Sequence, residues 1–148
     1  LGENSALKLS EIQEMIMSDS RVDMSDMAKE SVKVIELHAK YLGFYQDEKG
    51  VLLLIEREYN KLKLKKVEYY LGRAEDRVYE EKPLHLKIPR QDLDFYLDAD
   101  DELSDLKRRL TLAQNKVDIL KSFIEHNLNQ RSHHFRNAIA FLNWSQGK

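Results

Sequence analysis

The sequence predicts an all-α fold: a short N-terminal helix followed by two long helices that form an antiparallel hairpin or coiled coil. Three observations point there. Apolar residues make up 42% of the 148 residues and charged residues 34%, with only two prolines and five glycines, a mixture that suits long helices better than strands or disorder. Apolar positions recur at three-and-four spacing over two long stretches. Both prolines, Pro83 and Pro89, fall between those stretches, where a connection is needed. The length is that of one ordinary domain, so residues 1–148 read as a single helical domain.

The elements follow in order. Ser10 is placed to cap a short helix over 10–18 that carries Ile12, Met15 and Ile16 on one side. A long helix spans 25–72, with Val32, Ile35, Leu42 and Tyr45, then Leu52, Ile55, Tyr59, Leu62 and Tyr69, as its apolar stripe. Gly50 costs this helix about 1 kcal/mol relative to alanine, so a bend or break is expected there. Gly72 stands where a glycine ends a helix in left-handed conformation. Residues 73–90 read as a long connection with one extended piece at Leu84–Ile88. The last helical region, 91–146, carries Leu103, Leu106, Leu110, Ala113, Val117, Leu120 and Ile124 in coiled-coil register. Its stripe then resumes at Leu128 and Phe135, a four-residue offset that relaxes the supercoil. Phe135, Ile139, Phe141, Leu142 and Trp144 lie on more than one face of this end, so they are expected to pack against other subunits as an oligomerisation surface.

Several functions are disfavoured. The chain has no cysteine, which removes disulfides, thiolate nucleophiles and cysteine zinc sites, and fits a reducing cytoplasm. The longest apolar run, Val51–Ile55, is too short to span a bilayer, and the N-terminus shows no signal-peptide pattern, so a soluble protein with no membrane partner is expected. The acidic stretch Asp92–Asp105 lacks the glycine of a calcium loop: counted from Asp98, the sixth position is Leu103. That stretch better suits a helix N-terminus or electrostatic contact with a basic run of another subunit. His126, His133 and His134 lack metal-binding spacing, and neither a nucleophile elbow nor a phosphate loop occurs. No enzyme, metal or cofactor is expected.

The most informative segment is Arg57–Arg73, REYNKLKLKKVEYYLGR. Six cations, Arg57, Lys61, Lys63, Lys65, Lys66 and Arg73, oppose only Glu58 and Glu68, a local charge of +4 in a chain of net charge −2. Clustered cations bind phosphates by releasing condensed counterions, and Tyr69 and Tyr70 offer rings for base stacking. Composition alone fits a solvated helix terminus at least as well, since cations there complement the macrodipole. Arg131 and Arg136, flanking His133 and His134, form a second, smaller basic cluster that is open to the same two readings. A coiled-coil structural or adaptor protein without nucleic-acid binding is therefore the alternative.

These residues also carry a family resemblance. Leu37–Leu42 (LHAKYL), the lysine run ending Tyr69-Tyr70-Leu71-Gly72-Arg73, Tyr79–Pro83 (YEEKP), Tyr96–Asp100 (YLDAD) and Arg131-Ser132 with Phe135–Ile139 (FRNAI) resemble the UvsY recombination mediators of tailed bacteriophages, in order and spacing. The resemblance runs from about residue 10 to 147. It implies a mediator that binds single-stranded DNA, helps displace the phage single-strand-binding protein and loads a RecA-like recombinase, UvsX. It implies a ring-like homo-oligomer, a hexamer or heptamer, acting in recombination, repair and replication in the cytoplasm of the infected bacterial host. It also implies that Lys61, Lys63, Lys65, Lys66 and Arg73 contact DNA.

Overall fold

The computed structural model describes residues 7–148, and every regular element among them is helical. In order these are α1 (Leu9–Asp19), α2 (Met27–Tyr70), α3 (Asp76–Glu81), α4 (Leu93–Asp98), α5 (Asp101–Phe123) and α6 (Arg131–Ser145). The expectation about a signal pattern falls partly on residues 1–6, which lie outside the described residues. None of the described helices is long and apolar enough to cross a membrane.

Local chemistry sets the helix ends. Helix α1 starts one residue before Ser10, because the Glu11 carboxylate, rather than a serine hydroxyl, accepts the Lys8 N–H at 2.7 Å. Asp26 opens α2 by accepting the Lys29 N–H at 3.1 Å. Gly72, at φ 73°, closes it: the Arg73 N–H reaches the Glu68 carbonyl and the Gly72 N–H the Tyr69 carbonyl. Gly50 does not break α2. Seam residues Glu48 and Leu52 are buried on either side of it, and their packing outweighs a propensity cost of about 1 kcal/mol.

The connection over 73–90 is not wholly irregular. It contains α3, and Leu84–Ile88 forms no strand; Ile88 is instead buried as a single apolar anchor. The last region is interrupted twice. Ala99 and Asp100 separate α4 from α5 because the Asp100 carboxylate caps α5, accepting the Leu103 N–H at 3.0 Å. A π turn over Ile124–Leu128, with the Asn129 N–H on the Ile124 carbonyl at 3.0 Å, absorbs the four-residue offset in the apolar stripe.

The chain forms two compact units. The terminal unit combines residues up to Lys49 with Gln114–Lys148, and the central unit is Gly50–Ala113. The core of the terminal unit contains Ile12, Leu37, Tyr41, Leu120, Phe123, Ile124 and Leu128, with Tyr41 edge-on to Phe123 at 4.5 Å. The α5 register holds: Leu103, Leu106, Ala113, Val117, Leu120 and Ile124 are all buried.

On α2 the inward face of the N-terminal half differs from the expected one. Val32 and Ile35 are 61% and 72% exposed, whereas Glu30, Leu37, Tyr41 and Glu48 are buried. Two glutamates occupy this seam, so a reading by apolarity moves onto the neighbouring face. Each acid has a cationic counterpart: Glu48 faces Lys116 at 3.6 Å, and Glu30 lies in the field of Arg131.

Candidate nucleic-acid interface

The basic run occupies the C-terminal half of α2 in the central unit. Its helical spacing distributes the cations instead of gathering them. Lys61 lies on an open face with Leu53, Arg57 and Leu64; Lys63 turns toward α4 and α5; Lys65 borders the face toward α3. All three lysines are exposed, as is Arg73 beyond the helix end. Among the described residues none of the four forms an ion pair.

Lys66 differs from its neighbours. It is a seam residue, with its ammonium 2.9 Å from the Asp100 carboxylate and 3.0 Å from Glu102. Burial disfavours the Lys66 charge, but these two acids outweigh that and raise its pKa above the ordinary lysine value. Burial likewise opposes ionisation of Asp100, yet hydrogen bonds from the Leu103 N–H, Lys66 and Tyr70 hold its carboxyl below the usual aspartate value. The Tyr70 hydroxyl donates to Asp100 at 2.7 Å, and burial with that bond pushes its pKa up. The acidic stretch, expected to meet a basic run of another subunit, thus meets one in its own chain. Lys66 is committed there, because its charge neutralises a buried carboxylate.

The tyrosines are also engaged. Tyr69 stacks on Tyr79 at 5.5 Å, with an interplanar angle of 18°, and donates to the Lys82 carbonyl at 3.1 Å. The Tyr79 hydroxyl donates to the Tyr69 carbonyl at 2.8 Å and accepts the Ala74 N–H at 3.1 Å, which staples α3 to the end of α2. Tyr70 leans on Tyr96. The aromatic pair therefore builds the corner that presents Arg73, and both rings remain half-buried.

A groove of about 610 Å³ in the central unit collects residues that the sequence keeps apart. Tyr59 and Lys63 come from α2, Lys107, Arg108 and Thr111 from α5, and Asp94 and Asp98 from α4, over buried Leu97 and Leu103. Lys107 and Arg108 were not legible as site residues. In Asp101–Arg109, DELSDLKRR, three acids and three cations cancel, so a window count shows no basic segment. Seam geometry finds them: with Leu103, Leu106 and Leu110 turned inward, Lys107 and Arg108 must lie off the seam.

Arg131 is a correction. It is 2% exposed, donating to the Asp19 carbonyl at 2.6 Å and to the Asn127 side chain at 3.0 Å. Its guanidinium ties the end of α1 to the start of α6 and cannot reach a phosphate in solvent. Arg136, His133 and His134 are exposed. Phe135, expected on the oligomerisation surface, is buried in its own unit, because the π turn rotates it inward; Ile139, Phe141, Leu142 and Trp144 are exposed. Among the described residues no three histidine or carboxylate side chains gather where a metal ion could sit.

Comparison with known proteins adds a family and a fold. A family model described as "Recombination, repair and ssDNA binding protein UvsY" matches residues 15–148. Crystal structures of the bacteriophage T4 recombination mediator protein UvsY share the fold at 16% identity. Lattice type II gives a TM-score of 0.83 over 95% of this chain and 98% of that one. Lattice type I gives 0.79 over 90% and 98%. Type IV gives 0.78 over 94% and 99%. No curated protein matches the chain by sequence.

Proposed function

The chain belongs to the UvsY family, and from that premise we propose that it is a recombination mediator that binds single-stranded DNA through the exposed cations of its central unit. Lys61, Lys63, Lys65 and Arg73 are the contacts, Lys66 and Tyr70 hold the helix end that presents them, and Tyr69 gives Arg73 its corner. The bound strand is handed to a RecA-like recombinase, UvsX, in place of the phage single-strand-binding protein. This takes place in the cytoplasm of the infected bacterial host, in recombination, repair and replication. One observation carries the reading: in a family described by single-stranded DNA binding, the densest basic run of this chain leaves five of its six cations, Arg57 and the four contacts named above, exposed and without ion pairs among the described residues.

Assembly supplies the strength. Ile139, Phe141, Leu142 and Trp144 on α6 join copies into a ring of six or seven, so that weak patches act together. Multivalency reconciles DNA binding with a net charge of −2.

Titration of a labelled oligonucleotide across a salt series tests the proposal. Binding should be tight at low salt and weaken linearly in a log–log plot. Lys61→Ala, Lys63→Ala and Lys65→Ala together should lower the slope by about 2, at roughly 0.7 per phosphate on a single strand. No binding at low salt would leave a helical adaptor in its place.

A further inference from the structure

The α5 cations turn the basic face of α2 into a two-sided site. Lys63 from α2 and Lys107 and Arg108 from α5 line one groove with the Tyr59 ring, and among the described residues none of the three cations forms an ion pair. Two helices that approach antiparallel within the central unit, with Lys66 facing Asp100 and Tyr59 beside Thr111, bring these groups together across more than forty residues of sequence. The groove's acids, Asp94 and Asp98, both belong to α4. A phosphate chain is attracted to the α2 and α5 side and repelled from the α4 side, which orients it along the groove.

We propose that this groove is a nucleotide-binding track for single-stranded DNA, in which Lys63, Lys107 and Arg108 hold successive phosphates and Tyr59 stacks a base. The track rests on the DNA-binding reading above and extends it to a second helix, with contacts that no run along α2 supplies. Tyr59 suits the stacking role better than Tyr69 or Tyr70, because the rings of those two are occupied by Tyr79 and Tyr96. The Tyr59 ring is half-buried and lines the groove. Stacking on such a ring tolerates any base.

The salt series, run on the full chain, separates this track from the broader reading. Lys107→Ala with Arg108→Ala should lower the log–log slope by about 1.4, two phosphates at roughly 0.7 each. Lys29→Ala with Lys49→Ala removes the same charge from exposed sites in the terminal unit and should leave the slope unchanged. Tyr59→Leu should weaken binding about tenfold, the order of one lost base stack, while Tyr59→Phe retains it. Circular dichroism and a melting temperature confirm that each variant folds. If wild-type protein binds DNA but the α5 pair keeps the wild-type slope, or loses no more than the terminal-unit pair, the track is wrong and the α2 reading survives. If wild-type protein does not bind DNA, the broader reading fails first.

Discussion

The terminal unit buries two of its cations, whereas the central unit keeps nearly all of its basic run in solvent. In the terminal unit, Lys116 and Arg131 are buried: one faces Glu48, and the other is threaded between the Asp19 carbonyl, Asn127 and the field of Glu30. In the central unit only Lys66 is spent inside, while Lys61, Lys63, Lys65, Arg73, Lys107 and Arg108 remain in solvent. The lesson is that a cation's neighbours in sequence do not reveal its task. Arg131 sits in a basic cluster with two histidines and Arg136, yet it is a structural clasp. Lys107 and Arg108 sit beside an acidic stretch, yet they are the exposed cations of a groove.

Removing the clasp should have the largest effect. Arg131→Ala leaves the Asp19 carbonyl and Glu30 without their buried cation, and should cost about 3 kcal/mol in denaturant unfolding. The salt slope of DNA binding should not change. A changed slope with unchanged stability would reverse the roles assigned to the two units.

The buried carboxylate of the central unit should show next, through pH. Asp100 has a folded pKa below its ordinary value of 3.8, and Glu102 and Asp19 are also lowered. A depressed carboxylate contributes stability that is fully present above its unfolded pKa and is lost as pH falls through the folded one. The melting temperature should therefore hold from neutrality to about pH 5 and fall below about pH 4. Asp100→Asn should be less stable at neutral pH, by about 2 kcal/mol from the lost charge-assisted bonds, and should flatten the acid side of the profile.

These two effects also show where sequence reading worked and where it stopped. The α5 seam was legible because seven apolar residues repeat without a polar interruption. The offset after Ile124 was legible as well, though not the π turn that absorbs it. The α2 seam was legible at Tyr45 and from Leu52 onward, but earlier in the helix Glu30 occupies a core position, as Glu48 does between those two, and an apolar count prefers exposed Val32 and Ile35. The opposite charges that make those positions tolerable lie far along the chain. The basic run itself was plain, but Lys66 looked like its neighbours because the helix turn that faces it to Asp100 cannot be weighed without the partner. The groove depends wholly on the meeting of α2 and α5.

Smaller effects are expected at the surface. Phe141→Ser with Trp144→Ser should change unfolding free energy by less than about 1 kcal/mol, since both side chains are already exposed. Light scattering should nonetheless record a smaller assembly. DNA affinity should fall with it, because avidity is lost. An unchanged mass would move the interface to another exposed face, such as Val32 and Ile35 on α2.

The division of labour between the units is tested most directly by photocrosslinking the full chain to a single-stranded oligonucleotide that carries 5-bromodeoxyuridine, followed by peptide mapping. Crosslinked peptides should come from the central unit, from α2 around Tyr59–Arg73 and from α5 around Leu103–Ala113. Crosslinks confined to the terminal unit, around Arg136 and the end of α6, would contradict the account.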